Sequence, residues 1–170
     1  MSVALVAAIQ SRFGDAILDS HDLAGDDTVT LRKDALVDVC RYLREDPSCQ
    51  MEMLVDVTAI DWQEKRSERY EVVYHLHSLS LKHRLRIKVA VSEEDLTVPT
   101  LTGIWRGANW PERETWDMYG IRFDGHPDLR RLLLYPEFEG HPLRKDYPVR
   151  GYQPLVDMPS LPVDREDSEE

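Results

Sequence analysis

The sequence predicts an α+β domain in two layers, a mainly antiparallel sheet with helices on one face, followed by an extended C-terminal arm. Three observations lead there. Residues from Met53 to Val91 alternate apolar and polar groups with the period of strands, the stretches before them carry helix-period stripes, and prolines crowd the part beyond Gly120.

The elements follow in order. Val3, Leu5, Val6, Ala8, Ile9 and Phe13 share a helical face, with Ser2 placed to cap it and Gly14 to stop it. Thr28 to Leu31 reads as a strand. Asp34 then stands where an N-cap belongs, ahead of a helix whose buried stripe is Leu36, Val37, Val39, Cys40 and Leu43 and which ends before Pro47. Met53 to Ile60, Tyr70 to Leu79 and His83 to Val91 read as a three-stranded antiparallel meander, and the charged segment Gln63 to Arg69 as an exposed hairpin loop. Leu101 to Trp105 has room for one helical turn. Asn109 is placed to cap a further helix, with Pro111 in its first turn and Glu112, Glu114 and Asp117 along it. Past Gly120, Pro127, Pro136, Pro142, Pro148, Pro154, Pro159 and Pro162 leave little room for regular structure. The expected organisation is a domain over residues 1–120, an arm over 121–163 and a disordered acidic tail over 164–170.

Composition narrows the function classes. A chain of 170 residues with 42% hydrophobic residues is sufficient for one core. The net charge of -11 disfavours nucleic acid as the main partner. Cys40 and Cys49 stand apart with no other cysteine, so neither a Cys-x-x-Cys motif nor a cysteine set for zinc or an iron–sulfur cluster is available. The longest apolar run, Val3 to Ile9, falls well short of the roughly 20 residues of a spanning helix, so membrane association is expected only through a partner.

The chemistry-bearing residues gather between 112 and 151. Glu114 and Asp117, three apart on a helix, have the spacing of an acid–base pair, but acidic residues early in a helix also answer its dipole. His126 and His141 lie in matching Gly-His-Pro triplets; the nearby Arg130, Arg131 and Arg144 would repel a divalent cation. His75 and His77 alternate along a strand, a weak metal-like pair that reads more simply as a solvent face. Arg130, Arg131, Arg144 and Lys145, interleaved with Tyr135, Phe138 and Tyr147, superficially resemble an RNA-binding surface, yet Glu137, Glu139 and Asp146 neutralise the field a phosphate backbone needs. No phosphate-binding glycine loop occurs. Alternating guanidiniums and carboxylates suit a desolvated interface of bidentate ion pairs, with Arg130 and Arg131 expected to be held, largely shielded from water, by carboxylates of this chain's motif helix or of a neighbouring subunit.

These residues also resemble a family. Glu112-Arg113-Glu114, Asp117-Met118-Tyr119, His126 and Arg130 are similar to the signature of the 30-kDa subunit of NADH–quinone oxidoreductase, respiratory complex I. Gly125 to Arg131 and Gly140 to Pro148 are similar to that family's C-terminal segment, and Leu54 to Asp61, Tyr70 to Ser78 and Ile104 to Trp110 to its strands and motif-helix entry. The resemblance implies a subunit with no catalytic residue and no cofactor of its own, in a complex that carries electrons from NADH through FMN and iron–sulfur centres to quinone. It implies docking on the neighbouring quinone-site subunit and on other peripheral-arm subunits, at the cytoplasmic face of the bacterial inner membrane. Related subunits of membrane-bound hydrogenases are the alternative. The implied interface residues are Glu112, Arg113, Glu114, Asp117, Gly120, Gly125, His126, Asp128, Arg130, Arg131, Gly140, His141, Arg144, Lys145 and Asp146.

Overall fold

The computed structural model describes residues 2–151 and 153–156; the tail expected over 164–170 and the last part of the arm lie outside them. Helix α1 (Ser2–Phe13) leads through a 3-10 turn into strand β1 (Ile17–His21), which pairs antiparallel with β2 (Thr28–Leu31). Helix α2 (Leu36–Glu45) crosses to the far edge of the sheet, where β3 (Met53–Asp61) begins the meander with β4 (Tyr70–Ser78) and β5 (His83–Val91). β5 returns beside β2 and pairs with it in parallel, giving the order β1-β2-β5-β4-β3. The α+β class, the meander and the helices packed on the sheet are as the sequence predicts.

Register explains the core. Val57, Ala59 and Asp61 of β3 stand across from Tyr74, Val72 and Tyr70, which face Ile87, Val89 and Val91 of β5. These inward rows meet Ile9 of α1 and Leu36, Val39, Cys40 and Leu43 of α2, all fully buried. Each valine, leucine or isoleucine among them contributes about 1.5–3 kcal/mol by leaving water. Asp61 occupies the last inward position of β3, where the alternation calls for an apolar group.

The later elements position the site. β6 (Thr97–Pro99) pairs in parallel with β7 (Arg122–Asp124), and between them Ile104 and Trp105 close one helical turn onto the Leu101 carbonyl. Helix α3 (Asn109–Tyr119) ends at Gly120, whose φ of 81° no other residue adopts cheaply and whose N–H reaches the Trp116 carbonyl. From Gly125 to Gly151 the described residues form turns and extended backbone, without helix or strand.

Two expected caps differ from what forms. Asp34 turns back to bind the Arg32 guanidinium at 3.0 and 2.5 Å, and a 3-10 turn over Lys33–Ala35 opens α2 instead. Asn109 is the first residue inside α3 rather than its cap, because a 3-10 turn over Arg106–Ala108 already starts the coil; its Oδ1 is buried with no partner among the described residues. The hairpin loop 63–69 is exposed through its middle, but Arg69 is withdrawn from solvent by carboxylates.

Candidate functional site

Helix α3 places Glu112, Arg113 and Asp117 on its buried side and leaves Glu114 in solvent. Glu114 and Asp117 therefore do not work as a pair. Asp117 is the most heavily bonded group of the site. Its Oδ1 accepts from Nη1 of Arg131 at 2.6 Å, and its Oδ2 accepts three successive backbone N–H groups, Leu132, Leu133 and Leu134, at 3.0, 2.9 and 3.0 Å. Burial alone would raise this carboxyl's pKa; the Leu134 amide, Arg131 and the other two amides outweigh it and hold it below the ordinary value.

Arg131 completes the clasp from the arm's side. Its Nη2 donates to the carbonyls of Phe138 and Gly140 at 2.6 and 3.2 Å, and its guanidinium lies 5.8 and 5.6 Å from the rings of Trp116 and Phe138. Arg113 reaches the same strip by backbone contacts only, donating to the carbonyls of Arg130 and Arg131 at 3.1 and 2.9 Å. Of the two arginines, Arg131, 15% exposed, is held by the motif helix, whereas the Arg130 side chain is 71% exposed and, among the described residues, pairs with Asp128 at 2.9 Å rather than with a carboxylate of that helix.

The two histidines are fixed separately. His126 donates from Nε2 to the Asn109 carbonyl at 3.1 Å and accepts the Asp128 N–H at Nδ1, with Nε2 4.0 Å from the Glu112 carboxylate. His141 donates from Nδ1 to the Asp117 carbonyl at 2.9 Å and packs on Gly120, where an added Cβ would lie 2.7 Å from the ring. Gly125 makes the turn that brings His126 back to the Phe123 carbonyl, and Gly140 at φ 90° lies under the Tyr147 ring. Among the described residues no three histidine, cysteine or carboxylate groups gather as metal ligands.

Glu112, fully buried, holds the loop before α3: Oε1 accepts the Leu101 N–H at 2.7 Å and Oε2 the Thr100 hydroxyl at 2.5 Å. Burial raises its pKa, the Thr100 and Leu101 hydrogen bonds lower it, and the balance stands at about 7.

A second cluster escaped the sequence reading. Asp61 takes Arg69 in a fork at 3.1 and 2.9 Å and also accepts the backbone N–H of Gln63 and of Lys145, both at 2.9 Å. Arg69 extends to Glu93 at 2.6 Å and Asp146 at 2.9 Å, and Arg144 closes the ring with Glu93 at 3.1 Å and Asp146 at 3.3 Å. The Tyr70 ring lies beneath both guanidiniums. The Lys145 side chain stays exposed and takes part through its backbone alone. Burial pushes the Asp61 carboxyl up, but the Arg69 fork and the two amides bring it to about 2. The signal that marks Asp61 in the sequence is a carboxylate at an inward strand position.

Helix and sheet thus hold residues 130–146 through two buried carboxylates set with guanidinium partners. The sequence matches, over residues 29–153, the family described as respiratory-chain NADH dehydrogenase, 30 Kd subunit. The chain belongs to this family. An NADH-quinone oxidoreductase subunit of Rhizobium etli is 48% identical over 147 residues, 86% of this chain and 78% of that protein. Its counterpart in Geobacter sulfurreducens is 44% identical over 146 residues, 86% of this chain and 89% of that protein. The solved trypsin-resistant fragment of Nqo5 superposes with a TM-score of 0.64 at 30% identity, over 76% of this chain and all of the fragment. An archaeal membrane-bound sulfane sulfur reductase complex contains a chain with the same fold, TM-score 0.71 at 23% identity, over 86% of this chain and 85% of that one. No helix among the described residues is long and apolar enough to cross a membrane.

Proposed function

We propose that this chain is a non-catalytic subunit of the peripheral arm of a proton-translocating NADH–quinone oxidoreductase, where it braces the quinone-binding part of the complex. Electrons pass from NADH through FMN and iron–sulfur centres in other subunits; this chain binds none of these groups and contributes no residue to the chemistry. It sits at the cytoplasmic face of the bacterial inner membrane and reaches the membrane only through its partners. The arm expected over 121–163 begins beyond β7, since Ile121 and Phe123 are buried in the core, and it docks on the neighbouring quinone-site subunit.

The observation that carries this reading is the saturation of Asp117. A carboxylate that accepts three amides and a guanidinium, with its side chain 0% exposed, is committed to holding backbone and lies out of reach of a substrate proton. Its effect is to fix the segment 130–134 so that Leu133 and Tyr135, both exposed, are presented as apolar contacts beside Arg130 and Asp128. Pre-ordering a docking strip removes ordering cost from association. Arg113 holds the carbonyls of Arg130 and Arg131 in the same strip, Glu112 fixes the loop before α3, His126 and His141 tie the segments on either side of the strip to the helix, and Arg144, Lys145 and Asp146 tie its far end to the sheet.

The test is recovery of the tagged chain from mildly solubilised membranes, with its partners identified by mass spectrometry. Stoichiometric recovery with the quinone-site subunit and other peripheral-arm subunits is expected. A monomeric chain with hydrolytic activity, or hydrogenase subunits in place of the NADH-oxidising ones, would overturn the reading.

A further inference from the structure

Residues 126–134 run back along α3. His126 binds the Asn109 carbonyl, Arg113 holds the carbonyls of Arg130 and Arg131, and Asp117 takes the next three amides. The other guanidiniums of this region have carboxylates: Arg131 has Asp117, Arg130 has Asp128, Arg69 has Asp61, and Arg144 has Glu93 and Asp146. Arg113 differs. Its Nε and Nη2 are spent on two neutral carbonyls, and among the described residues it forms no ion pair.

Arg113 is only 8% exposed, so its positive charge is largely withdrawn from water without a counter-ion among the described residues. Such a charge is costly until an anion reaches it. The carboxylates closest to it along the helix are engaged elsewhere or turned away. Glu112 holds the Thr100 hydroxyl and the Leu101 amide, Asp117 gives its oxygens to Arg131 and three amides, and Glu114, about 100° further round the helix, stands in solvent. Nη1 of Arg113 donates to no atom among the described residues and is not enclosed, so an acceptor can reach it from outside the chain.

The surroundings of this opening suit a protein surface. Trp110, one turn before Arg113 on the same side of α3, is 68% exposed, and Leu133 of the strip is exposed as well. A large aromatic group beside an arginine is the composition of interface hot spots. The exposed Glu114 and Asp128 and a net charge of -11 work against a phosphate polyanion, which is drawn in by a wide positive field. One carboxylate carried in on a docking surface needs no such field; it needs a single guanidinium edge from which water has been removed. We propose that Arg113 takes an Asp or Glu side chain of the subunit that docks on the strip, with Trp110 as the apolar anchor beside the pair. The inference rests on the proposed docking function and names the chemistry that the partner brings to it.

The test puts a benzophenone amino acid in place of Trp110, an aromatic side chain for an aromatic one, in the full chain in its native membranes. Light should join it to a peptide of the neighbouring subunit that contains Asp or Glu. Arg113→Gln, and separately the amide in place of one of that peptide's carboxylates, should each lower the amount of assembled complex about tenfold, and the two together should do no more than one alone. The partner-side variant leaves this chain untouched, so it decides the matter if Arg113→Gln does not fold. A cross-link to lipid, to nucleic acid, to this chain's own residues 164–170 or to a peptide without a carboxylate, no cross-link, or losses that simply add overturns the proposal. Co-purification of the unaltered chain with respiratory subunits is scored in the same membranes: its failure sinks the docking reading, whereas its success with any of those outcomes sinks this pair alone.

Discussion

Single carboxylates decide how this chain holds together. Asp117→Ala strips Arg131 and three amides of their acceptor in a largely buried place, a loss of about 3–5 kcal/mol. The expected result is a lower melting temperature and early proteolytic cutting between residues 130 and 140; unchanged digestion would contradict the clasp. Glu112 behaves oppositely with pH. Its folded pKa near 7 lies above the ordinary 4.5, so the native state holds the extra proton between those values, and stability falls as pH rises through that window, by about 3 kcal/mol in all. Glu112→Gln keeps an acceptor for the Leu101 amide and removes the buried charge. It should match wild type near pH 4.5 and exceed it above pH 7 in urea melts; a constant difference across pH would contradict the assignment. Asp61, brought down to about 2 from 3.8, stabilises at any pH above 3.8, and that contribution is lost as pH falls through 2. At this scale the sequence was half legible. Arg131 does meet a motif-helix carboxylate, though by one bond rather than a bidentate fork, because three amides take the other oxygen; Asp61 meets the Lys145 amide across 84 residues, and no local pattern announces such a partner. The direction of Arg130 was illegible too, since a run of turns carries no period.

Elements differ in how far their pattern reaches. β3, β4 and β5, nine residues each, show several cycles of alternation and are plain in the sequence. β6 and β7, three residues each, and β1, an edge strand with exposed Leu18 and Asp19, show less than two. These exist because neighbours supply their pairing, which lies outside local reading. Gly120 joins α3 to this region with φ at 81° and the His141 ring against it. Gly120→Ala adds about 1–2 kcal/mol of left-handed strain and pushes His141 off the Asp117 carbonyl. Loosening of residues 141–147 in hydrogen exchange, with the β3–β5 amides still protected, is the expected signature; equal protection throughout would show that the junction does not hold the arm.

At the scale of the whole molecule, the sheet and helices form a platform, and residues 130–146 lie on it, tied at Asp117 and at the Asp61–Arg69–Asp146 ring. The family resemblance was legible because its residues are contiguous in sequence, whereas the platform's hold on them depends on contacts far apart along the chain. The central claim is that these charges serve assembly rather than chemistry, and Arg131 tests it most directly. Arg131→Ala leaves the buried Asp117 without its guanidinium, while Arg131→Lys keeps the charge but loses the fork that also reaches Phe138 and Gly140. The measurement is native-gel quantification of the assembled complex beside NADH-to-quinone activity normalised to it. The account predicts that Arg131→Ala lowers the amount of complex about tenfold or more, that Arg131→Lys recovers it in part, and that turnover per assembled complex stays near wild type. Normal assembly with turnover near zero would contradict it and move Arg131 into the reaction.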